Sequence, residues 1–443
     1  MKKLMFFIII FTLLFTCSEN KKSAQSTEQQ TKTYKTKIDN LLKTYEKNGE
    51  FMGSIALSSN RKTIYTNAIG FDDIETKKKS DVNTKYRIGS VSKTYTAVLI
   101  FKANEENKLT LEQTIENYFP TIKNANKITI AQLLQHRSGI PNFTKDKNFL
   151  NYHTEYKSPL EMLTLISNLG SDFEPNSKGQ YSNSNYFLLS QILEKAYELS
   201  YQDILKTKIC EPLNLINTYN GNKVDLINNE SNSYSYATEW EKLPETDMSI
   251  TLGAGSIVSN PIDVATFTEA LFMGKIISIQ SLEKMQTIKD GYGMGLVRYT
   301  IADRKGFGHR GTLDGYKSTA IYFPEEKLSL VITSNASKDN INLIYLDVLK
   351  LYLDDAPIEI SEDEIKKYVG TYEEESSKFT FIQDKNVLVL VIKNEFKEPL
   401  IYKGNNRFLF EQMYAESMSF TFSLDGLQLI LEQGDAKGTY VKK

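Results

Sequence analysis

Apolar and polar residues alternate through "MGSIALSSNRKTIYTNAIGF", Met52 to Phe71, and this period of two predicts a pair of strands joined by a turn at Ser59–Arg61. The period then lengthens. Ser90 to about Glu105 reads as a helix, and "TIAQLL" as another with Thr129 as its cap. "SPLEMLTLIS" combines Ser158 at the N-cap, Pro159 in the first turn and Glu161 to complete a capping box. "NYFLLSQILEKAYEL" is strongly amphipathic, and "NPIDVATFTEALF" opens on the start signal of Asn260 and Pro261. Strand patterns return in "YGMGLVRY", "YKSTAIYFP" and "LSLVITSN", and a last helix is expected from about Ile341 to Leu353. Strands at both ends with helices between them predict an α+β arrangement, an antiparallel sheet assembled from both ends of one region spanning 34–355.

The pattern changes at "DDAP", 354–357, which reads as a boundary. Beyond it come "FTFI", "VLVLVI", "RFLFEQ", "SFTFS" and "LQLILEQ", with Asp425-Gly426 as a hairpin signal between the last two. Residues 358–443 are enough for roughly eight short strands, so a small all-β, barrel-like domain is expected there. At the other end, Lys2 and Lys3 precede an apolar run from Leu4 to Phe15. That is the length of a signal-peptide core and too short to span a bilayer comfortably. The run ends at "LFTC", which resembles a bacterial lipoprotein signal over 1–17 with Cys17 as the lipidated residue. Residues 18–33 are polar and low in complexity and read as a flexible tether. The expected location is therefore outside the cytoplasm, in the cell envelope or periplasm, held by a lipid anchor.

Charge and cysteine content narrow the choices further. The 53 basic and 55 acidic residues nearly cancel, so no field of one sign recommends nucleic acid as a partner. Cys17 and Cys210 are the two cysteines. With Cys17 lipidated, Cys210 has no disulfide partner and is expected to be a small core residue.

Three stretches carry candidate chemistry. In "RIGSVSKTYTA", Ser90 and Lys93 are three residues apart, so a helix places them on one face, one turn apart. Gly89 lets the backbone turn into that helix. Free N–H groups at the helix start would stabilise an oxyanion beside Ser90, and the same positive end together with burial would lower the pKa of Lys93 until it could act as a base. Ser-x-x-Lys also begins at Ser18, Ser59 and Ser281, where it falls in the tether, a turn and a polar helix start. Only at Ser90 does it lead into an apolar run that must be buried. The second stretch is "QYSNSNY", where Tyr181 and Asn183 precede the amphipathic helix on a loop of turn formers, and a phenol there could relay protons. The third is "GHRGTLDGY", with His309, Arg310 and Gly311 leading into a strand whose edge N–H could pair with that of Ser90.

In this order, the three stretches resemble the serine β-lactamase and penicillin-binding-protein superfamily, most closely its branch of class C β-lactamases, DD-carboxypeptidases and esterases. "LLQHRSGIPNF" and "GAGSIVSNPIDVATF" are similar to further stretches of that branch, and the likeness covers about residues 35–353. "YVGTY", Tyr368 to Tyr372, resembles the start of the lipocalin-like β-domain attached to some of its members. The resemblance implies Ser90 as acylated nucleophile, Lys93 as its activating partner and Tyr181 as general acid and base. It implies Asn183, His309, Gly311 and Thr312 as substrate contacts, with the N–H groups of Ser90 and Thr312 as oxyanion hole. His309 stands where a β-lactamase usually has lysine, and Arg310 where it has threonine or serine, a departure that points away from penicillin destruction. At an ordinary pKa His309 would be mostly neutral at pH 7, and Arg310 should point to the opposite face of a strand.

The other signals are weaker. "EPLN" at Glu211 is one residue short of the deacylating motif of class A β-lactamases, so Glu211 reads as structural. No Gly-x-Ser-x-Gly is present, against a Ser-His-Asp hydrolase. His136, His153 and His309 lack metal-ligand spacing, and neither metal nor cofactor is implied. Two function classes stay open: a serine hydrolase acting through a Ser90 acyl-enzyme on a small-molecule or peptide substrate (a D-amino-acid peptide, amide or ester, or a lactam), and a penicillin- or muropeptide-binding protein without turnover.

Overall fold

Strand β1 (Phe51–Ser59) pairs antiparallel with β2 (Lys62–Ile69), and Asn60 and Arg61 between them both take left-handed backbone angles, as a two-residue hairpin turn requires. The structure is a computed structural model that describes residues 34–301, 304–338, 340–353, 360–374, 377–385, 387–392, 396–410, 417–434 and 436–443. The expected signal, Cys17, the tether and the boundary at 354–357 lie outside the described residues.

The β1–β2 hairpin joins a meander of four later strands: β3 (Val297–Ile301), β4 (Arg304–Leu313), β5 (Tyr316–Phe323) and β6 (Leu328–Ser337). The resulting six-stranded sheet runs β3-β4-β5-β6-β1-β2, with β1 antiparallel to β6. The sheet is thus closed between the two ends of its region, as the α+β reading requires. Both faces are covered, and the strand period sorts residues between them. Ile55 and Leu57 of β1 pack with Ile38 and Leu42 of helix α1 (34–48) and with Ile344 and Val348 of the helix Ile341–Leu353. Ala56, between them, faces the larger cluster around helices α2 (Ser92–Glu105), α3 (Asn183–Tyr197) and α4 (Pro261–Phe272).

The predicted caps are in place. Thr129 and Ser158 form capping boxes with Gln132 and Glu161, and Asn260 accepts the Asp263 N–H. Two expectations shift. "YGMGLVRY" becomes a strand only at Val297, because Gly295 packs where an added Cβ would lie 2.4 Å from Ala97 of α2, and the chain must turn around that helix first. "GHRGTL" does not lead into a strand; it is the second half of β4. Helix α1 had no counterpart in the pattern analysis, although Ile38, Leu42 and Tyr45 carry its spacing.

The C-terminal strands form a nine-stranded antiparallel sheet. Its two edge strands, Phe396–Pro399 and Ile401–Tyr402, are separated in sequence by Leu400 alone, so the sheet curls into a nearly closed barrel around Tyr368, Tyr372, Phe381, Phe408, Phe420 and Phe422. Asp425-Gly426 lies in the hairpin between Met418–Phe422 and Gln428–Gln433, as its turn chemistry predicts. Among the described residues no helix is long and apolar enough to cross a membrane.

Candidate active site

The chain enters the site through a left-handed Gly89 (φ +49°) and a single 3-10 turn, Gly89–Val91, before α2 begins at Ser92. Ser90 therefore stands just ahead of the α-helix rather than within it. Lys93, one turn on, is fully buried. Its Nζ lies 2.9 Å from Ser90 Oγ, 2.7 Å from Asn183 Oδ1 and 2.6 Å from the Ala254 carbonyl oxygen. Burial pushes its pKa well below the ordinary lysine range.

Burial favours the neutral amine, and the three contacts accommodate it. An amine has two N–H donors and one lone pair. The Asn183 and Ala254 oxygens can only accept, so they take the two donors. The lone pair is left for Ser90, whose hydroxyl must then donate to Lys93. On its other side Ser90 Oγ accepts from the Tyr181 hydroxyl at 2.7 Å. The chain Tyr181 O–H to Ser90 O–H to Lys93 N runs in one direction and is poised to move the serine proton to the amine. The Lys93 nitrogen also sits 4.9 Å from the centre of the Tyr181 ring.

The second edge of the site is β4. Its pairing with β3 ends at Gly308, opposite Val297, so the stretch from His309 to Leu313 has a free outer edge toward the 3-10 turn. An added Cβ at Gly89 would come within 2.8 Å of Thr312 N, and one at Gly311 within 2.9 Å of Ser90 N. The Ser90 and Thr312 nitrogens are thus brought side by side, and glycine is required at both neighbouring positions. Two N–H groups in that arrangement suit a developing oxyanion. A cleft of about 570 Å³ opens beside them, lined by Ser90, Asn183 and Thr312 and by apolar side chains that include Phe149, Leu150, Leu243, Pro244 and Leu313. Among the described residues that line it, none is a lysine or an arginine.

His309 does not keep the ordinary pKa on which the sequence reading rests, and the shift strengthens its neutrality at pH 7. It is 7% exposed, and burial above all pushes its pKa down to about 3. Its Nδ1 lies 2.6 Å from the Arg310 carbonyl oxygen, an acceptor, so the proton of the neutral ring is on Nδ1. Arg310 points to the other face of the strand, as alternation predicts, with its guanidinium over the Tyr299 ring.

Glu211 is exposed, apart from these groups, and Cys210 is a buried thiol whose pKa is raised by burial to about 12. Sequence reasoning assigned no role to two groups that the fold adds. The Ala254 carbonyl comes from "GAGSIVSN", where a left-handed Gly253 bends the chain toward Lys93. His136 comes from "LLQHRSGIPNF". It is buried beside Tyr181, with ring centres 4.5 Å apart.

The family profile described as Beta-lactamase matches residues 38–350. Penicillin-binding protein 4* of Bacillus subtilis (strain 168) is 25% identical over 437 residues, covering 90% of this chain and 96% of that protein. A teichoic acid D-alanine hydrolase of Staphylococcus aureus (strain MRSA252) is 26% identical over 317 residues, covering 69% of this chain and 76% of that one. Among solved structures, the octameric penicillin-binding protein homologue from Pyrococcus abyssi superposes with a TM-score of 0.65 at 23% identity, covering 91% of this chain and 99% of the other. D-amino acid amidase from Ochrobactrum anthropi SV3 also superposes with a TM-score of 0.65, at 22% identity, covering 74% of this chain and 100% of the other. These two structures share the fold.

Proposed function

The chain belongs to the Beta-lactamase family and is a serine hydrolase, and on that premise we propose that it cleaves a D-amino-acid peptide, amide or ester through an acyl-enzyme at Ser90. The observation that carries this reading is the burial of Lys93, which pushes its pKa well down, with no carboxylate partner among the described residues and a hydrogen bond to Ser90 at 2.9 Å. Lys93 takes the Ser90 proton while Oγ attacks the substrate carbonyl carbon. The oxyanion gathers the N–H groups of Ser90 and Thr312. The carbonyl re-forms, the bond to the leaving group breaks, and Tyr181 hands that group a proton. Water then attacks the acyl carbonyl carbon and gives a proton to the Tyr181 phenolate; the ester bond to Ser90 Oγ breaks, Lys93 returns its proton to that oxygen, and the acid is released. Asn183 holds Lys93 and faces the cleft, where it can also touch substrate. Gly311 leaves room for the approach, and neutral His309 backs Tyr181 from β4, at 6.3 Å between ring centres.

The D-amino-acid part of the reading is supported by the relatives named for D-alanine hydrolysis and D-amino acid amide cleavage. A preference for neutral substrates over acidic lactams is supported by the absence of lysine and arginine among the described residues that line the cleft and by an uncharged His309. The same reading takes 34–355 as the hydrolase domain and 358–443 as an appended β-domain. It takes 1–17 as a lipoprotein signal and 18–33 as a tether, holding the enzyme in the cell envelope through Cys17. The test is intact-mass spectrometry after mixing with phenyl acetate, with D-alanine p-nitroanilide and with nitrocefin. Acyl adducts on Ser90 that turn over with the ester and the anilide, and are lost in Ser90→Ala, are expected, with nitrocefin turned over far more slowly. More than a few per cent of wild-type turnover in a folded Ser90→Ala protein would remove Ser90 from the nucleophile role.

A further inference from the structure

We propose that His136 is a positioning residue that clamps the backbone on both sides of Tyr181 and so aims its hydroxyl at Ser90. The inference rests on the reading of Tyr181 as the proton carrier. Tyr181 sits on a loop of turn formers before α3, with no strand or helix to hold it. Its neighbours are held by one residue instead. The Gln180 N–H donates to the His136 carbonyl oxygen at 2.8 Å, and the Ser182 N–H donates to His136 Nδ1 at 3.2 Å. Between these two bonds the His136 ring packs against the Tyr181 ring, tilted by 36°. The Tyr181 backbone itself hydrogen-bonds the hydroxyl of Tyr292, whose ring meets His136 edge-on at 5.2 Å.

A clamp of this kind asks for particular properties, and His136 has them. It must present a backbone carbonyl and a side-chain acceptor to two residues separated by one position. His136 does so from a left-handed backbone, φ +56°, which is uncommon for a residue with a β-carbon and several-fold enriched for histidine and asparagine. Nδ1 must carry no proton if it is to accept, so the neutral ring bears its proton on Nε2. The ring is 3% exposed. The basic groups that face it, Lys93 from α2 and His309 from β4, add no proton-attracting charge, and the other rings against it are those of Tyr181, Tyr186 and Tyr292. Asn185 places its Nδ2 3.5 Å from the same Nδ1, while its Oδ1 accepts from the Ser138 hydroxyl at 2.7 Å. The result is a tyrosine oxygen fixed 2.7 Å from the reacting serine, where a misplacement of about 1 Å is enough to cost roughly 10²-fold in rate.

The test is a double-mutant cycle read by the single-turnover rate of Ser90 acylation with phenyl acetate, whose leaving group gains from a delivered proton. His136→Ala is expected to slow acylation about 10²-fold with KM changed by less than about 3-fold. His136→Asn keeps an acceptor and tolerates the left-handed backbone, and is expected to recover part of the rate. In the Tyr181→Phe background, which is itself slow, either change should cost less than about 3-fold, because the group being aimed is gone. Full additivity of His136→Ala, or of His136→Asn should the alanine variant not fold, would overturn the proposal, as would wild-type rates in both. A wild-type rate in Tyr181→Phe alone would instead overturn the role of Tyr181 on which the clamp depends.

Discussion

Arg87 and Lys93 stand on either side of Ser90 and are both closed off from solvent, at 2% and 0% exposure. Arg87 donates to the carboxylates of Glu245 at 2.9 Å and Asp314 at 3.4 Å and to the carbonyls of Thr246 and Asn222 at 3.0 and 2.9 Å. Lys93 meets an amide oxygen, a carbonyl and a hydroxyl, and no carboxylate among the described residues. A guanidinium keeps its proton under all ordinary conditions, so burying it demands counter-charge. An amine can shed its proton, and burying it without counter-charge makes it do so. The arginine ties the segment before Ser90 to Asp314, just past Thr312 at the end of β4. The lysine, six residues on, is left free to accept a proton. On the proposed mechanism the same burial yields a structural cation in one case and a base in the other, and the difference lies in the partners.

The comparison breaks most sharply if the arginine solution is moved into the lysine site. Lys93→Arg places a permanent charge where no carboxylate waits. Acylation should fall roughly 10²- to 10⁴-fold, the range for losing a positioned base. Stability by urea unfolding should fall by about 3 kcal/mol, for a buried uncompensated charge. Lys93→Met should lose the same activity while keeping the wild-type unfolding midpoint at pH 7, since it removes a group that is already neutral. Equal destabilisation by Arg and Met would show that Lys93 is charged in the folded protein.

The reverse exchange should be milder. Arg87→Lys keeps the charge but loses the fork that reaches two carboxylates and two carbonyls. Unfolding free energy should drop by about 1–2 kcal/mol, with acylation kept within about 10-fold. A collapse of acylation in a stably folded Arg87→Lys protein would mean that the arginine shapes the reacting groups more directly than an anchor does.

A further effect, read as a pH slope, concerns His309, a buried basic group that also lacks a carboxylate partner among the described residues. In the unfolded chain it takes up a proton below about pH 6.5, whereas the folded protein refuses it until about pH 3. The unfolded state therefore binds more protons in that window, and stability is lost as pH falls from 6.5 toward 3. Between pH 7 and pH 5 the loss assigned to His309 is about 2 kcal/mol, and His309→Asn should remove that part of the decline. An unchanged pH slope would mean that the imidazole charges freely in the fold.

Much of this architecture is readable from residue pattern. Period-two runs locate β1, β2, β5 and β6, the caps Thr129, Ser158 and Asn260 mark helix starts, and the Ser90–Lys93 spacing brings both groups to one place. What was not readable depends on contacts between distant segments. The Ala254 carbonyl is 161 residues from the lysine that it meets. His136 is 46 residues from the Ser182 N–H that it accepts, and a lone histidine after an apolar run carries no local sign of that bond. The burial that neutralises His309 is made by the packing of β4 against its neighbours, so an isolated reading defaults to an ordinary imidazole. Strand β3 starts late for the same reason: Gly295 answers to Ala97, not to its own neighbours.

The central claim is that Lys93 is a neutral base in the resting enzyme. The direct measurement is the single-turnover rate of Ser90 acylation by phenyl acetate from pH 5.5 to 10. The account predicts a rise that levels off well below 10.5, the ordinary lysine value, with the rising limb absent from the slow residual reaction of Lys93→Met. A rate that keeps climbing to pH 10, or a profile that Lys93→Met leaves in place, would contradict it.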